Sequence, residues 1–371
     1  MLLRVAIVGC GKIADSHAAQ IRRIKGCDIV AVCDREELMA RQLAERFKVE
    51  RYFDDLGRLL EESRPHVVHI TTPPQSHFAI ARQCLERGCH VYVEKPFTLD
   101  AREAEELVRL AERRGLGLTV GHDAQFSHAA RRMRDLISRG YLGDRVVHME
   151  SYYGYDFGDA RYAAAFLRDR DHWVRNLPGG LLQNVISHGV ARIAEFLRGE
   201  SPRVIAQGFA SPPLRKFGEE SVLDELRVII VDEYLTTAYF TFSSTIRPVL
   251  HQFRIFGSQN GIVLDERQQI VVKLRGSAFK SYVERFVPPV IFAKQYVANA
   301  VHNVRLFLGN DFHMESGKKE LIAAFYRSIV EGTPAPIPSR EILLTARLMD
   351  SIFEQLGNSP FLADSREGVR C

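Results

Sequence analysis

The sequence predicts two domains of different class: an α/β domain with a parallel sheet over 1–121, and an α+β domain with a large open, mainly antiparallel sheet over 122–371. Three observations carry that expectation. A glycine turn, GCGKIA, follows the first apolar run. Apolar strands then alternate with amphipathic helices as far as Gly121, and beyond Pro202 strands follow one another across short turns. A chain of 371 residues is long enough to build two cores.

Composition narrows the classes of function. Hydrophobic residues make up 46% and charged residues 26%, a globular balance, and no apolar run approaches the roughly 18 residues of a membrane span. The 50 basic and 46 acidic residues are mixed along the chain, so the net charge of +4 gives no basic patch for nucleic acid. The opening MLLRVAIVGC runs straight into the glycine turn, unlike a signal peptide. The six cysteines contain no C-x-x-C pair, as expected for reduced thiols in a cytoplasm.

LRVAIVG, DIVAVCD, HVVHITT, HVYVEK and LGLTVG read as strands separated by helices, a βαβ series whose ligand crevice lies at the carboxyl ends of the strands. The first strand ends in Gly9-Cys10-Gly11-Lys12-Ile13-Ala14, which fits G-x-G-x-x-A. Gly9 allows the tight turn, Gly11 a close backbone approach to a pyrophosphate, and the amides at Lys12 and Ile13 open the helix toward that anion. Strand two closes on Asp34, 20 residues after Ala14, where a carboxylate meets an adenosine ribose. This Rossmann pairing predicts NAD; the adjacent Arg35 leaves NADP open. TTPPQSH follows strand three, and its Thr72, Pro73 and His77 are candidate cofactor contacts, although His77 reads equally well as a polar residue at a helix start.

Strand four ends in Glu94-Lys95-Pro96, and Asp100 with Glu103 then forms a capping pattern for the next helix. A lysine on rigid backbone near a nicotinamide, its pKa lowered by that cation, can exchange a hydroxyl proton. Lys95 is therefore the candidate proton shuttle. Glu94 is a candidate cofactor-side residue that orients the Lys95 ammonium or a neighbouring backbone group.

The stretch VVHITTPPQSHFAIARQCLERGCHVYVEKP, with the glycine turn and VGHDAQFSHAARRMRDLISRGYLGD, resembles the glucose-fructose oxidoreductase/inositol dehydrogenase (Gfo/Idh/MocA) family of NAD(P)-dependent oxidoreductases. The resemblance implies a sugar, nucleotide sugar or cyclitol as substrate and a homodimer or homotetramer. It also implies that the helix of DHWVRNLPGGLLQNVISHGVARIAEFL meets substrate. That helix is expected from about Gly180, with Asn184 and His188 four residues apart on one face. Relatives commonly carry an aspartate where Asn184 stands, so Asn184 becomes a positioning group and Lys95 with His188 carries the proton. Gln125 stands where family members often have arginine.

Trp173, Arg175 and Tyr153 are further candidates for substrate contact, with core packing as the alternative for the aromatics. An amide beside His188, without an acid or cysteine cluster, predicts no metal. The last hundred residues are helical, and the apolar FVPPVIFAKQYVANAVHNVRLFLG is expected to serve as an oligomer contact or lid, ahead of a membrane-surface patch because its basic residues are scattered. Besides a dehydrogenase, the sequence admits a redox-neutral NAD-dependent glycoside hydrolase or a cofactor-binding regulator without turnover.

Overall fold

A computed structural model describes residues 2–156, 169, 172–216, 219, 222–276, 280, 282–313 and 315–357. Its contacts divide the chain into two units, Met1–Phe126 with Gly317–Arg347, and Ser127–Ser316 with Leu348–Cys371. The sequence reading cuts the chain once, at 121. The molecule instead returns residues 317–347 to the first unit, because Leu321, Ile322, Phe325 and Tyr326 bury their side chains in its core.

The first unit is a parallel six-stranded sheet in the order β3-β2-β1-β4-β5-β6: β1 Leu3–Val8, β2 Cys27–Cys33, β3 Tyr52–Phe53, β4 Val67–Ile70, β5 His90–Val93 and β6 Leu118–Val120. Helices α1 Lys12–Ile21, α2 Glu37–Phe47, α3 Leu56–Ser63, α4 His77–Glu86 and α5 Ala101–Arg114 connect them. The two-residue β3 is an addition to the strands read from sequence. Near-continuous runs of Val, Ile and Ala in β1, β4 and β5 are buried because helices cover both faces of such a sheet. The strand order reverses between β1 and β4, which opens a crevice at their carboxyl ends. Asp100 caps α5 by accepting from Glu103 N at 2.9 Å, while Glu103 reaches back to Leu99 N at 3.1 Å, a capping pair shifted by one residue on the return arm.

The second unit holds a seven-stranded sheet in the order β13-β12-β11-β7-β10-β9-β8. Its strands are β7 Val146–Gly154, β8 Arg203–Phe209, β9 Glu225–Val231, β10 Thr237–Ser243, β11 His251–Gly257, β12 Asn260–Asp265 and β13 Ile270–Arg275. Only β7 and β10 run parallel, so the sheet is mainly antiparallel, as expected. The GSQNG turn joins β11 to β12 as a hairpin. Its helices are α6 His128–Ser138, α7 Gly180–Val185, α8 Ser187–Ala194, α9 Pro212–Lys216 and α10 Val287–Leu308. Two more helices follow, α11 Ser316–Glu331 and α12 Ser339–Gly357.

Edge strand β13 is closed by side chains instead of a further strand. Gln295 and Asn299, one turn apart on α10, each grip it with both ends of an amide: Gln295 with Lys273 N and O (2.8 and 3.1 Å), Asn299 with Val271 N and O (3.0 Å each). Asn303, a turn further on, donates to Gln268 O at 2.8 Å. Removing a buried amide orphans the strand groups it satisfied, at about 1–3 kcal/mol each. Asn299→Ala is therefore expected to destabilise the protein by about 2–4 kcal/mol, read as a lower urea midpoint. A midpoint unchanged from wild type would show that the strand edge does not need this amide.

Candidate functional site

In the first unit the glycine turn is held by its neighbours. Gly9 adopts φ +93°, and a Cβ there would lie 2.6 Å from Thr72 N, so no other residue fits without moving the backbone. Thr71 Oγ1 donates to Gly9 O at 2.6 Å, tying the ends of β1 and β4 together. A Cβ on Gly11, in contrast, would meet nothing within 4 Å. Gly11 starts α1 and no side chain caps that start, so the first-turn amides of the helix are left for an anion. Lys12 and Ile13 are exposed beside it.

Asp34 ends β2 with its carboxylate turned to the same turn: Oδ2 accepts from Cys10 N at 2.6 Å and Oδ1 from Glu36 N at 3.0 Å. Arg35 and Pro73 are exposed and Thr72 is half-buried. An open cradle at Gly11, an uncapped helix start and an oriented acid on the next strand together fit a dinucleotide. Cys10 and Cys33 lie below this surface as inert thiols; burial raises both, Cys33 to about 12.

Two expected contacts turn out to be internal. His77 is fully buried, with Nδ1 on Pro96 O and Nε2 on Thr72 O, both at 2.9 Å. It fastens the loop after β4 to the loop after β5, and this corrects its assignment as a cofactor contact. Glu94 is buried as well, its Oε1 2.7 Å from His17 Nε2 and its Oε2 accepting from Lys95 N at 3.1 Å. The bond to the Lys95 amide is the backbone-orienting role expected of Glu94, but its carboxylate lies in the core instead of beside the cofactor.

Glu94 ends a polar chain that the sequence reading did not find. His17 Nδ1 meets His69 Nδ1 at 2.8 Å, and His69 Nε2 meets Tyr326 OH at 2.8 Å. An ionised Glu94 accepts from His17 Nε2–H. His69 bridges His17 to the Tyr326 hydroxyl, one ring nitrogen donating and the other accepting. Burial, then the neighbouring His17, hold His69 well below the usual imidazole range and so keep it neutral. Tyr92 stacks on His69 with ring centroids 4.7 Å apart.

Lys318, buried on α11, lies 3.6 Å from Glu94 Oε1 and 4.0 Å from Asp123 Oδ2. Burial by itself would raise the Glu94 pKa. Lys318 and the His17 hydrogen bond overcome it and hold the carboxyl well below its usual range. Lys95 is half-buried at the tip of β5, and burial, aided by Lys318, lowers its ammonium against the opposing pull of Glu94 and Asp123. Gln125 is buried and donates to Glu341 Oε1 at 2.5 Å, so this position holds an internal amide–acid pair.

In the second unit, α7 and α8 are separate short helices with a bend at Ile186, so Asn184 and His188 do not share the single helix expected from sequence. Gly189 lets α8 sit directly on the sheet, since a Cβ there would meet the Phe240 ring at 2.3 Å. From Leu181 to Ala194 every residue is buried except His188, which is half-buried. Its ring lies 6.0 Å from Tyr153, which stacks on His251 at 4.3 Å; the two strand residues are register partners on β7 and β11.

His251 is an aromatic neighbour that only strand pairing reveals. Asn184 is buried. Arg175 forms a two-pronged pair with Glu219, both bonds 3.0 Å, so its charge is already matched, and it lines a cavity of about 380 Å³ with Leu177, Gly179 and Phe353. Trp173 is half-buried and stacks on His172. Among the described residues no group of three or more His, Cys, Asp or Glu is placed to hold a metal ion, and no helix is long and apolar enough to cross a membrane.

Residues 3–122 match the family model described as "Oxidoreductase family, NAD-binding Rossmann fold". The chain is 33% identical over 146 residues to D-glucoside 3-dehydrogenase of Escherichia coli, covering 39% of this chain and 42% of that one. It is 26% identical over 228 residues to glycosyl hydrolase family 109 protein 2 of Akkermansia muciniphila, covering 57% and 47% respectively. The chain thus spans about half the length of the curated relatives it matches. In fold it is similar to a Bordetella pertussis dehydrogenase solved with NADH and UDP-GlcNAcA, with TM-score 0.74, 17% identity and 96% of each chain covered.

The depressed Glu94 carboxyl has a consequence for stability. A carboxyl whose pKa is lower folded than unfolded stabilises the protein above the unfolded value, about 4.3, and that contribution is lost as pH falls through the folded value. Glu94→Gln removes it and leaves Lys318 poorly compensated, an expected loss of about 3–5 kcal/mol at neutral pH. Denaturant unfolding at a series of pH values should show the gap between wild type and variant narrowing below about pH 4.3. A gap independent of pH would mean that Glu94 is not held ionised by the fold.

Proposed function

Because the chain belongs to the Gfo/Idh/MocA oxidoreductase family, we propose that it binds NAD at the β1–α1 turn and transfers hydride to or from a secondary alcohol or ketone of a sugar, nucleotide sugar or cyclitol. The observation that carries this reading is the conjunction at the carboxyl ends of the strands of one sheet: the open, uncapped turn at Gly11, the oriented Asp34, and Lys95 at the tip of β5. A nicotinamide dinucleotide supplies the hydride donor or acceptor when bound.

The chain's own residues handle binding and the proton. The amides at Lys12 and Ile13 face the pyrophosphate, and the carboxylate of Asp34 takes the ribose hydroxyls and disfavours a 2′-phosphate. Lys95 Nζ accepts the hydroxyl proton in oxidation and returns it in reduction, with a pKa that burial has moved toward neutrality. Glu94 fixes the Lys95 amide, and His77 holds the loop that begins at Pro96. His188 is the second acid–base group and Asn184 a positioning group. Tyr153 and Trp173 offer faces to a sugar ring, and Arg175 acts by ordering the loop before α7 through its pair with Glu219. The likeness to a glycosyl hydrolase supports a second reading, in which a retained NAD is reduced and reoxidised within one turnover.

Both readings are tested by following reduced-nicotinamide absorbance with NAD and a panel of sugars, nucleotide sugars and inositols. Sustained growth with one substrate supports the dehydrogenase; product formation without net growth moves the assignment to the redox-neutral hydrolase. Lys95→Met should lower kcat by about 10²–10⁴ while NAD affinity by calorimetry stays near that of wild type. Full turnover in that variant would remove Lys95 from the mechanism.

A further inference from the structure

Helix α10 is amphipathic in the reverse sense for a surface helix. Its polar residues face the protein, where Gln295, Asn299 and Asn303 bind the backbone of β13 and Asn299 is only 2% exposed. Its apolar residues face away: Val297 is 64% exposed, Val304 56%, Phe307 69% and Leu308 77%. Burying apolar surface stabilises and exposing it does not, so a helix held this way round is explained by something that covers it.

The pattern identifies the cover. Val290, Val297 and Val304 recur every seven residues, and so do Val301 and Leu308, which makes a seam suited to another helix. The exposed apolar side chains between Phe286 and Leu308 amount to roughly 800–1,000 Å², the share that one partner brings to a stable interface. The row is close to symmetric about its middle, where Val297 and Val301 lie, so it can meet itself antiparallel about a two-fold axis. A membrane surface fits less well. Such helices carry a cationic polar face, whereas the polar face here is amide and is occupied by β13; Lys294 and Arg305 are the only fully charged side chains on α10.

We propose that α10 is a homotypic interface: the Val290–Leu308 face packs antiparallel on the same face of a second copy of this chain. The test is sedimentation velocity at micromolar concentration on the full chain, comparing wild type with Val297→Glu and Val297→Lys. Both substitutions fall on an exposed position, and circular dichroism checks the fold.

The proposal expects each variant to form an assembly of half the wild-type mass, and an equimolar mixture of the two to recover the original mass as the opposite charges meet across the axis. A monomeric wild type, or variants of unchanged mass, overturns it. So does flotation of wild type with vesicles containing phosphatidylglycerol that Val297→Glu abolishes, because the face would then belong to a lipid surface.

Discussion

Glu94 is a carboxylate with almost no water around it, at the end of the strand that carries Lys95. An isolated charge in such a place costs several kcal/mol, so the surrounding structure must compensate it in full. Two groups from distant parts of the chain, His17 on α1 and Lys318 on α11, do so together with the amide of the adjacent Lys95. Each arrives with its own packing. The α11 segment brings Phe325 and Tyr326 into the core along with Lys318, so neutralising the charge and completing the hydrophobic core are one structural event.

The consequences run outward from that carboxylate. Glu94 is joined through His17 and His69 to Tyr326 by a continuous row of hydrogen bonds, and burial keeps His69 neutral. Burial pushes the Tyr326 hydroxyl well above its usual range, so it stays protonated at the end of the row. The row is therefore a rigid strut. Rigidity at this point matters chemically, since the residue after Glu94 is the one proposed to move a proton, and a misplacement of an ångström there lowers rates steeply.

The second unit solves a different problem, that of a sheet with an exposed edge. Edge strands invite pairing with other chains, and β13 is blocked by amide side chains that reproduce strand hydrogen bonds from a helix. The solution fixes the rotation of α10 about its axis. Once the amides face β13, the valines must face out, and an apolar surface is created as a by-product of protecting a polar one.

The sequence by itself determined the features whose signal is local. Gly9, Gly11 and Asp34 are legible because the turn, the helix start and the strand end they require are all encoded within a few residues of each. The Asp100 cap, the GSQNG hairpin and the change from alternating to successive strands are legible for the same reason. Only the tertiary structure decided the rest. Lys318 reads as one charge in a helical KKE stretch until α11 returns to the first sheet, and His251 gains meaning only from its register with Tyr153. His77 and Glu94 show the converse: their place near the crevice was readable, but whether they faced it or the core was not. The physical reason is that burial and pairing of polar groups depend on which distant elements pack there, and a linear pattern records periodicity along one element without recording its partner.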